Sequence, residues 1–390
     1  FIIEPDFAFI IGFVAAFVML KNDLKFKLIS MKKIVLSIFS VLISGVFFAQ
    51  IGSFDASFNG GSYYQTINYY SSNQKIIAIN NEKSFFNNTN GTYTPGPPYG
   101  STSGVFSKIT NSSTSALATN IHSLTFSGDQ YHEITDMDTT SDGKMAITGY
   151  MRTDFMTPNT RAFVGLVNVS TGAVDATFNN GNYYTLQSSG FYNAQQLEVQ
   201  SDDKIIIAGV ESLNNFFIRR FNTDGTIDTD FGSSGFAGTT FFTVYGSGSQ
   251  EIKDMKIMSD GKILVAGVDM QNSLMKGFVA RFNTDGSIDN TFGTNGIAPA
   301  SYDETYNNTL SSIAINSSNE IFISGSIDIT GNGTTAYLFK INSIGNYDAS
   351  FSAFLHTNTS ILYKVKILAN GKILASGTTF SGGLSDGSFM

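Results

Sequence analysis

The 390-residue chain has no cysteine, no tryptophan, only six prolines and few charged residues, 14%. Without cysteine, disulfide staples and thiolate metal centres are excluded, so the fold must rest on packing and hydrogen bonds. Without tryptophan, the broad indole platform that can stack a quinone or a sugar is missing, and tyrosine is left for that role. Basic residues are scarce as well. Lys21, Lys25, Lys27, Lys32 and Lys33 all fall in the first fifty residues, and the remainder holds 18 basic against 28 acidic side chains. Such a surface repels phosphates, which excludes nucleic acid as a partner. It suits solubility outside the cell, or association with cations.

What is abundant is phenylalanine, tyrosine and glycine, at 35, 17 and 38 residues. Aromatic side chains fit a pleated, half-buried surface, and glycine serves tight turns, so the balance leans to β-structure. The length is ample for a large core. An all-β repeat fold can use all of it as one domain.

The clearest targeting feature begins at Met31. Met31-Lys32-Lys33 is a positive n-region, Ile34 to Phe48 an apolar h-region, and Ala49-Gln50 stands where cleavage falls. Residues 31–50 are thus expected to be a signal peptide for export. The chain opens on Phe1 rather than Met, and Phe7 to Leu20 is too short for a confident membrane span. Residues 1–30 are expected to be an upstream, non-native segment.

The rest is repetitive. Ser259-Asp260-Gly261-Lys262-Ile263-Leu264-Val265-Ala266-Gly267 recurs at Ser141 to Gly149 and at Ser201 to Gly209. Weaker copies surround Lys75, Glu320 and Lys372, and the spacings between successive copies are 69, 60, 58, 58 and 52 residues. A second element follows, best seen in Arg220-Phe221-Asn222-Thr223-Asp224-Gly225 through Phe231-Gly232 and in Arg281-Phe282-Asn283-Thr284-Asp285-Gly286 through Phe292-Gly293. Its ending recurs at Asp175 to Phe178, Asp348 to Phe351 and Asp55 to Phe58. In the clearest unit, Met255 and Ile257 alternate with Lys256 as a half-buried strand, and Asp260-Gly261 makes a hairpin turn. Ile263 to Ala266 forms a buried strand and Phe278 to Phe282 a third. Asp285-Gly286 then leads into a fourth strand around Ile288 to Phe292.

These strings resemble the delta-60 repeat family of bacterial extracellular β-propellers, across residues 51–390 and most closely over 197–293. The resemblance implies a propeller at a surface or secreted location and transfers no catalytic residue. Four strands per unit and six copies of the first element predict an all-β propeller of about six four-stranded blades over 51–390. Stacked sheets hide their faces, and the Asp55 to Phe58 fragment would complete the last blade and close a ring. Aligning Gly267 with Gly377 puts Ser388-Phe389-Met390 at the start of a third strand, so the last blade is expected to be incomplete.

Chemistry is sparse. Asn222, Asp224 and Asp228, like Asn283, Asp285 and Asp289, have part of a calcium-loop spacing, but Arg220 and Arg281 stand where a further acid is needed. No cofactor is expected, with calcium in these loops as the alternative. The Asp289-type residue is expected to bind backbone or an arginine, and the Lys262-type residue to face solvent or a carboxylate. His122, His132 and His356 form no helical ligand pair, and no nucleophile elbow or phosphate loop occurs. No catalytic or metal residue is therefore assigned.

The non-repeated stretch Asn80 to Gly104 is read as a loop, with Phe85, Phe86, Tyr93 and Tyr99 as ligand contacts. Tyr63-Tyr64 and Tyr69-Tyr70 are read as strand residues. Taken together, the sequence predicts a non-catalytic, exported, monomeric binding, adhesion or scaffold module for an extracellular protein or glycan. It would touch membrane only through the signal peptide or a missing C-terminal anchor. The alternative is an extracellular propeller hydrolase or lyase acting on polysaccharide.

Overall fold

The computed structural model describes residues 76–80, 83–91, 102–110, 117–123 and 131–389, with short breaks at 153–159, 187–191, 212–214, 233–237, 246–249, 330–332, 357–359, 369 and 382–383. The segments 1–30 and 31–50, the tyrosines 63, 64, 69, 70, 93 and 99, and the Asp55 to Phe58 fragment lie outside the described residues.

The strands fall into six consecutive groups. The first holds β1 (Ile76–Asn80), β2 (Lys83–Gly91), β3 (Thr102–Thr110) and β4 (Leu117–Ser123), and the second holds β5 (Tyr131–Thr139), β6 (Met145–Arg152), β7 (Thr160–Val167) and β8 (Tyr184–Leu186). A single parallel bridge between Thr102 and Tyr131 links these two groups. Next come β9 (Tyr192–Val199), β10 (Ile205–Glu211), β11 (Asn215–Phe221) and β12 (Thr239–Phe242). They are followed by β13 (Glu251–Ile257), β14 (Ile263–Gln271), β15 (Leu274–Phe282) and β16 (Ile297–Pro299). The fifth group is β17 (Asn307–Ile315), β18 (Ile321–Ile329), β19 (Gly333–Ile341) and β20 (Phe354–His356). The sixth is β21 (Ser360–Ile367), β22 (Ile373–Ser381) and β23 (Leu384–Phe389). Within each group the pairing is an antiparallel meander in chain order. This is the blade pattern of a β-propeller.

Consecutive sheets pack face to face. Phe216, Ile206 and Ile218 of β9–β12 share a core with Val265, Phe278 and Ala280 of β13–β16. Leu264, Ala266 and Val279, on the other face of β13–β16, join Ile313, Ile323 and Tyr337 of β17–β20. Both faces of the central strand are therefore covered, which explains the unbroken apolar run Ile263 to Ala266. Each buried Val, Leu, Ile or Phe side chain among these contributes about 1.5–3 kcal/mol.

The motif glycine after that run has a specific cause. The first strand of each sheet carries a bulge, between Ile252 and Asp254 in β13 and between Leu310 and Ser312 in β17. The bulge pushes a carbonyl onto the facing residue of the second strand, so a Cβ on Gly267 would overlap the Glu251 carbonyl oxygen.

The fourth strand is not where the sequence places it. Ile288 makes only an isolated bridge to Phe282, and the paired strand is β16 at Ile297–Pro299. Local bonds capture the intervening segment. Asp289 Oδ1 accepts from the Thr291 amide and hydroxyl, and the Phe292 amide donates to the Asp289 carbonyl. Short polar side chains that satisfy nearby backbone in this way compete with ladder bonds. The expected third strand of the last unit does form, as β23, with Gly377 opposite Ser388 just as Gly267 is opposite Phe278.

Candidate functional site

The repeated charged residues meet in one corner of four successive units. In β13–β16, Asp289 Oδ2 receives Lys262 Nζ at 2.7 Å and Arg281 Nε at 2.8 Å. In β9–β12, Asp228 Oδ2 does the same with Lys204 Nζ at 2.7 Å and Arg220 Nε at 2.8 Å. Burial pushes the Asp289 carboxyl up, but the Lys262 and Thr291 hydrogen bonds and the Arg281 charge outweigh it and hold the group well below the carboxylate range. Each guanidinium also lies over the next aromatic ring, Arg281 4.5 Å from the Phe292 centroid.

The same corner grips the following sheet. Phe231 seats beneath Gly286 of the next unit, and the Gly232 amide donates to the Asp285 carbonyl at 2.8 Å. Phe292 and Gly293 repeat this on Gly345 and Ile344, and Phe178 and Asn179 on Gly225 and Asp224. A side chain at residue 286 would enter the Phe231 ring, and its φ of +81° favours glycine independently. Arg220 and Arg281 reach across as well, to the Thr284 and Ser343 carbonyls. The Asp-Gly and Phe-Gly signatures are thus two halves of an inter-sheet clasp. Asp224 and Asp285 Oδ1 accept from the amide and hydroxyl of Thr226 and Ser287. One carboxylate oxygen of each turn aspartate in the calcium-like spacing is therefore already held by protein donors. Among the described residues no group of three or more histidine or acidic side chains is placed to hold a metal ion.

A second polar set lies on the first strands and repeats only in part. Register aligns Asp136, Gln196, Asp254, Ser312 and Lys364 at one level. Asp254 is fully buried. Its Oδ1 accepts from the Met255 amide and Lys256 Nζ, and its Oδ2 from Ser312 Oγ and the Ile313 amide of the next sheet. Asp136 and Asp138 bind the Leu197 and Val199 amides likewise. Burial raises the Asp254 carboxyl, yet Lys256, Lys364 and Ser312 together leave it lowered. Such a carboxylate is an acceptor held in place, not a proton donor near neutral pH.

Two clefts remain, one of them between the second and third groups. A cleft of about 440 Å³ elsewhere, lined by Met270, Met275, Asn307 and Asp328, has no cation among its described lining residues. The other cleft, about 370 Å³, is lined by Asn179, Tyr183, Tyr184, Thr185, Leu186, Tyr192 and Arg219. Tyr183 packs edge-on to Phe163, Tyr184 leans on Phe221, and Tyr192 meets Phe217 edge-on, so all three rings are braced from behind. Asn179 Nδ2 bonds the Tyr183 carbonyl at 2.9 Å and fixes the wall. Arg219 Nε donates to Thr239 Oγ1 at 2.5 Å, and Arg219 makes no ion pair among the described residues. Burial lowers the Arg219 pKa, partly offset by Tyr184 and Tyr192, while burial and Glu211 raise Tyr192.

Of the residues chosen from sequence, Phe85 and Phe86 lie in β2, not in a loop. They pair with Ile77 and Ile76 on one side and Lys108 and Ser107 on the other. The stretch read as a loop in part forms the antiparallel pair β2–β3, because its aromatic and threonine residues favour a ladder. Tyr93 and Tyr99 lie outside the described residues. His122 is in β4, His132 in β5 and His356 in β20. Arg219 was missed. It sits beside the motif residue Arg220, but its register equivalents are Gly165, Ala280 and Phe339. A comparison of the copies position by position would have marked it as a departure.

The family described as "Domain of unknown function (DUF5122) beta-propeller" matches residues 200–231 and 259–292. Those segments run from the first hairpin turn to the clasp phenylalanine of two successive units. No curated protein gives a significant match. Among solved structures, a protein of unknown function from Dyadobacter fermentans is similar at 12% identity and a TM-score of 0.39, covering 79% of this chain and 75% of its own. One from Bacteroides caccae is similar at 11% identity and 0.34, covering 58% and 68%. A glucose dehydrogenase is similar at 9% and 0.40, covering 74% and 92%. These likenesses are too distant to speak of activity.

Proposed function

We propose that the protein is an exported, non-catalytic β-propeller of the delta-60 repeat type that binds an extracellular glycan or protein. The observation that carries this reading is the division of labour among its polar residues. The repeated Lys, Arg and Asp side chains are spent on one another at the sheet corners, from which Arg220 and Arg281 reach on to the next sheet, and the first-strand carboxylates hold amides of neighbouring sheets. The tyrosine-lined cleft at Arg219 presents rigid aromatic rings and an unmatched charge, the combination expected of a recognition site on a stiff scaffold. Export follows from the Met31 to Gln50 segment, whose lysine pair and apolar run have the form of a signal peptide.

The test is a glycan and protein binding screen on the purified chain, with polysaccharide degradation followed in parallel. Saturable binding without product release is expected. Release of reducing ends or unsaturated sugars would replace this reading with that of a polysaccharide-degrading enzyme.

A further inference from the structure

Four other half-buried or buried cations each face a carboxylate. Arg220 faces Asp228, Arg281 faces Asp289, Lys256 faces Asp254 and Glu198, and Lys340 faces Glu320 and Asp348. Arg219 does not. Its Nε is spent on Thr239, and among the described residues nothing pairs with the Nη1 and Nη2 edge. Withdrawing a charge from water without a partner is costly, and the cost is recovered when an anion arrives. We infer that the cleft of Tyr183, Tyr184, Tyr192 and Arg219 binds a ligand carrying one carboxylate on a hydroxyl-rich ring, a sugar acid.

Three features set the ligand class. The guanidinium edge is a planar fork that matches a carboxylate with two parallel bonds. Arg219 is the one cation among the cleft's lining residues, which suits a monoanion better than a doubly charged phosphate. The tyrosines supply an apolar wall for a ring, together with the Tyr184 and Tyr192 hydroxyls, which make no hydrogen bond among the described residues. The volume of about 370 Å³ lies at the small-molecule end of binding sites. This inference rests on the reading of the protein as a binding module and names the ligand of one site.

The experiment titrates the purified full chain with D-glucuronate, D-glucose and acetate by calorimetry, and repeats it on Arg219→Met, Arg219→Lys and Tyr192→Phe. Glucuronate is expected to bind at least tenfold more tightly than glucose or acetate. Arg219→Met should abolish that preference, Arg219→Lys should keep part of it, and Tyr192→Phe should weaken binding severalfold. Without ligand, Arg219→Met should melt at or above the wild-type temperature, because an unmatched charge is removed. A lower melting temperature would make Arg219 a structural residue and overturn the proposal. Equal affinities for glucuronate and glucose, or no glucuronate binding, would overturn it as well. A chain that ignores glucuronate yet captures another glycan in the screen loses only this ligand class. One that degrades polysaccharide loses the binding reading itself.

Discussion

The sheets β13–β16 and β17–β20 build the same corner from different charges. In the first, one acid, Asp289, is flanked by two cations, Lys262 and Arg281. In the second, one cation, Lys340, is flanked by two acids, Glu320 at 2.6 Å and Asp348 at 2.9 Å. The backbone around both is identical in plan, with Asp289 and Asp348 amides donating to the Arg281 and Lys340 carbonyls. Chain path and local turns define the corner, and the charges within it permute as long as each finds an opposite. The difference shows in reach. Arg281 bonds the Ser343 carbonyl of the next sheet and covers Phe292, whereas both anionic partners of Lys340 lie in its own sheet.

The sharpest way to separate the two corners is to remove the phenylalanine at each. Phe292 is fully buried, so Phe292→Ala should cost about 4 kcal/mol by urea titration followed by circular dichroism. Phe351 is half-buried, and Phe351→Ala should cost about half as much. Equal losses would mean that the two corners are energetically alike.

Next in size is loss of the acid. Asp289→Asn leaves two cations facing one another in a nearly closed site and should cost about 3 kcal/mol. Asp348→Asn leaves a Lys340–Glu320 pair intact and should shift the urea midpoint less.

Acid titration sharpens the same contrast. Asp289 is held below its unfolded value of about 3.9, so its contribution is complete above that pH and is lost as pH falls through the folded value. Asp348, lowered to about 2 by Ser350 and Lys340, follows the same sign. Wild-type stability should therefore drop below about pH 4, and Asp289→Asn should drop less over that window. Parallel acid profiles for the two proteins would assign the effect to other carboxylates.

The smallest effect tests permutation itself. Glu320→Lys converts the second corner toward the first and should change stability by no more than about 0.5 kcal/mol. A larger loss would show that charge order, not only charge opposition, is specified.

Much of this was legible in the sequence. The copies around Lys204 and Lys262 carry the sheets, the turns and the Asp–Arg contacts in one linear string, because each contact is made within about thirty residues of chain. The fourth strand was misplaced because Ile288 to Phe292 has the composition of a strand, while side-chain bonds from Asp289 take its backbone donors first. Phe85 and Phe86 were read as loop because prolines and asparagines dominate the composition of that stretch, and pairing with residues 102–110 is invisible without geometry. The Arg219 cleft joins β8, β9 and β11 from two units, so no local motif announces it.

The clasp also has a direction. At three successive junctions a unit extends its phenylalanine and following amide forward onto the turn of its successor. During synthesis, then, a newly emerged sheet keeps one greasy ring uncovered until the ribosome has delivered about sixty more residues. Chaperone demand should therefore track the leading edge of the growing array, where the latest ring waits for its lid, and not the sheets already behind it.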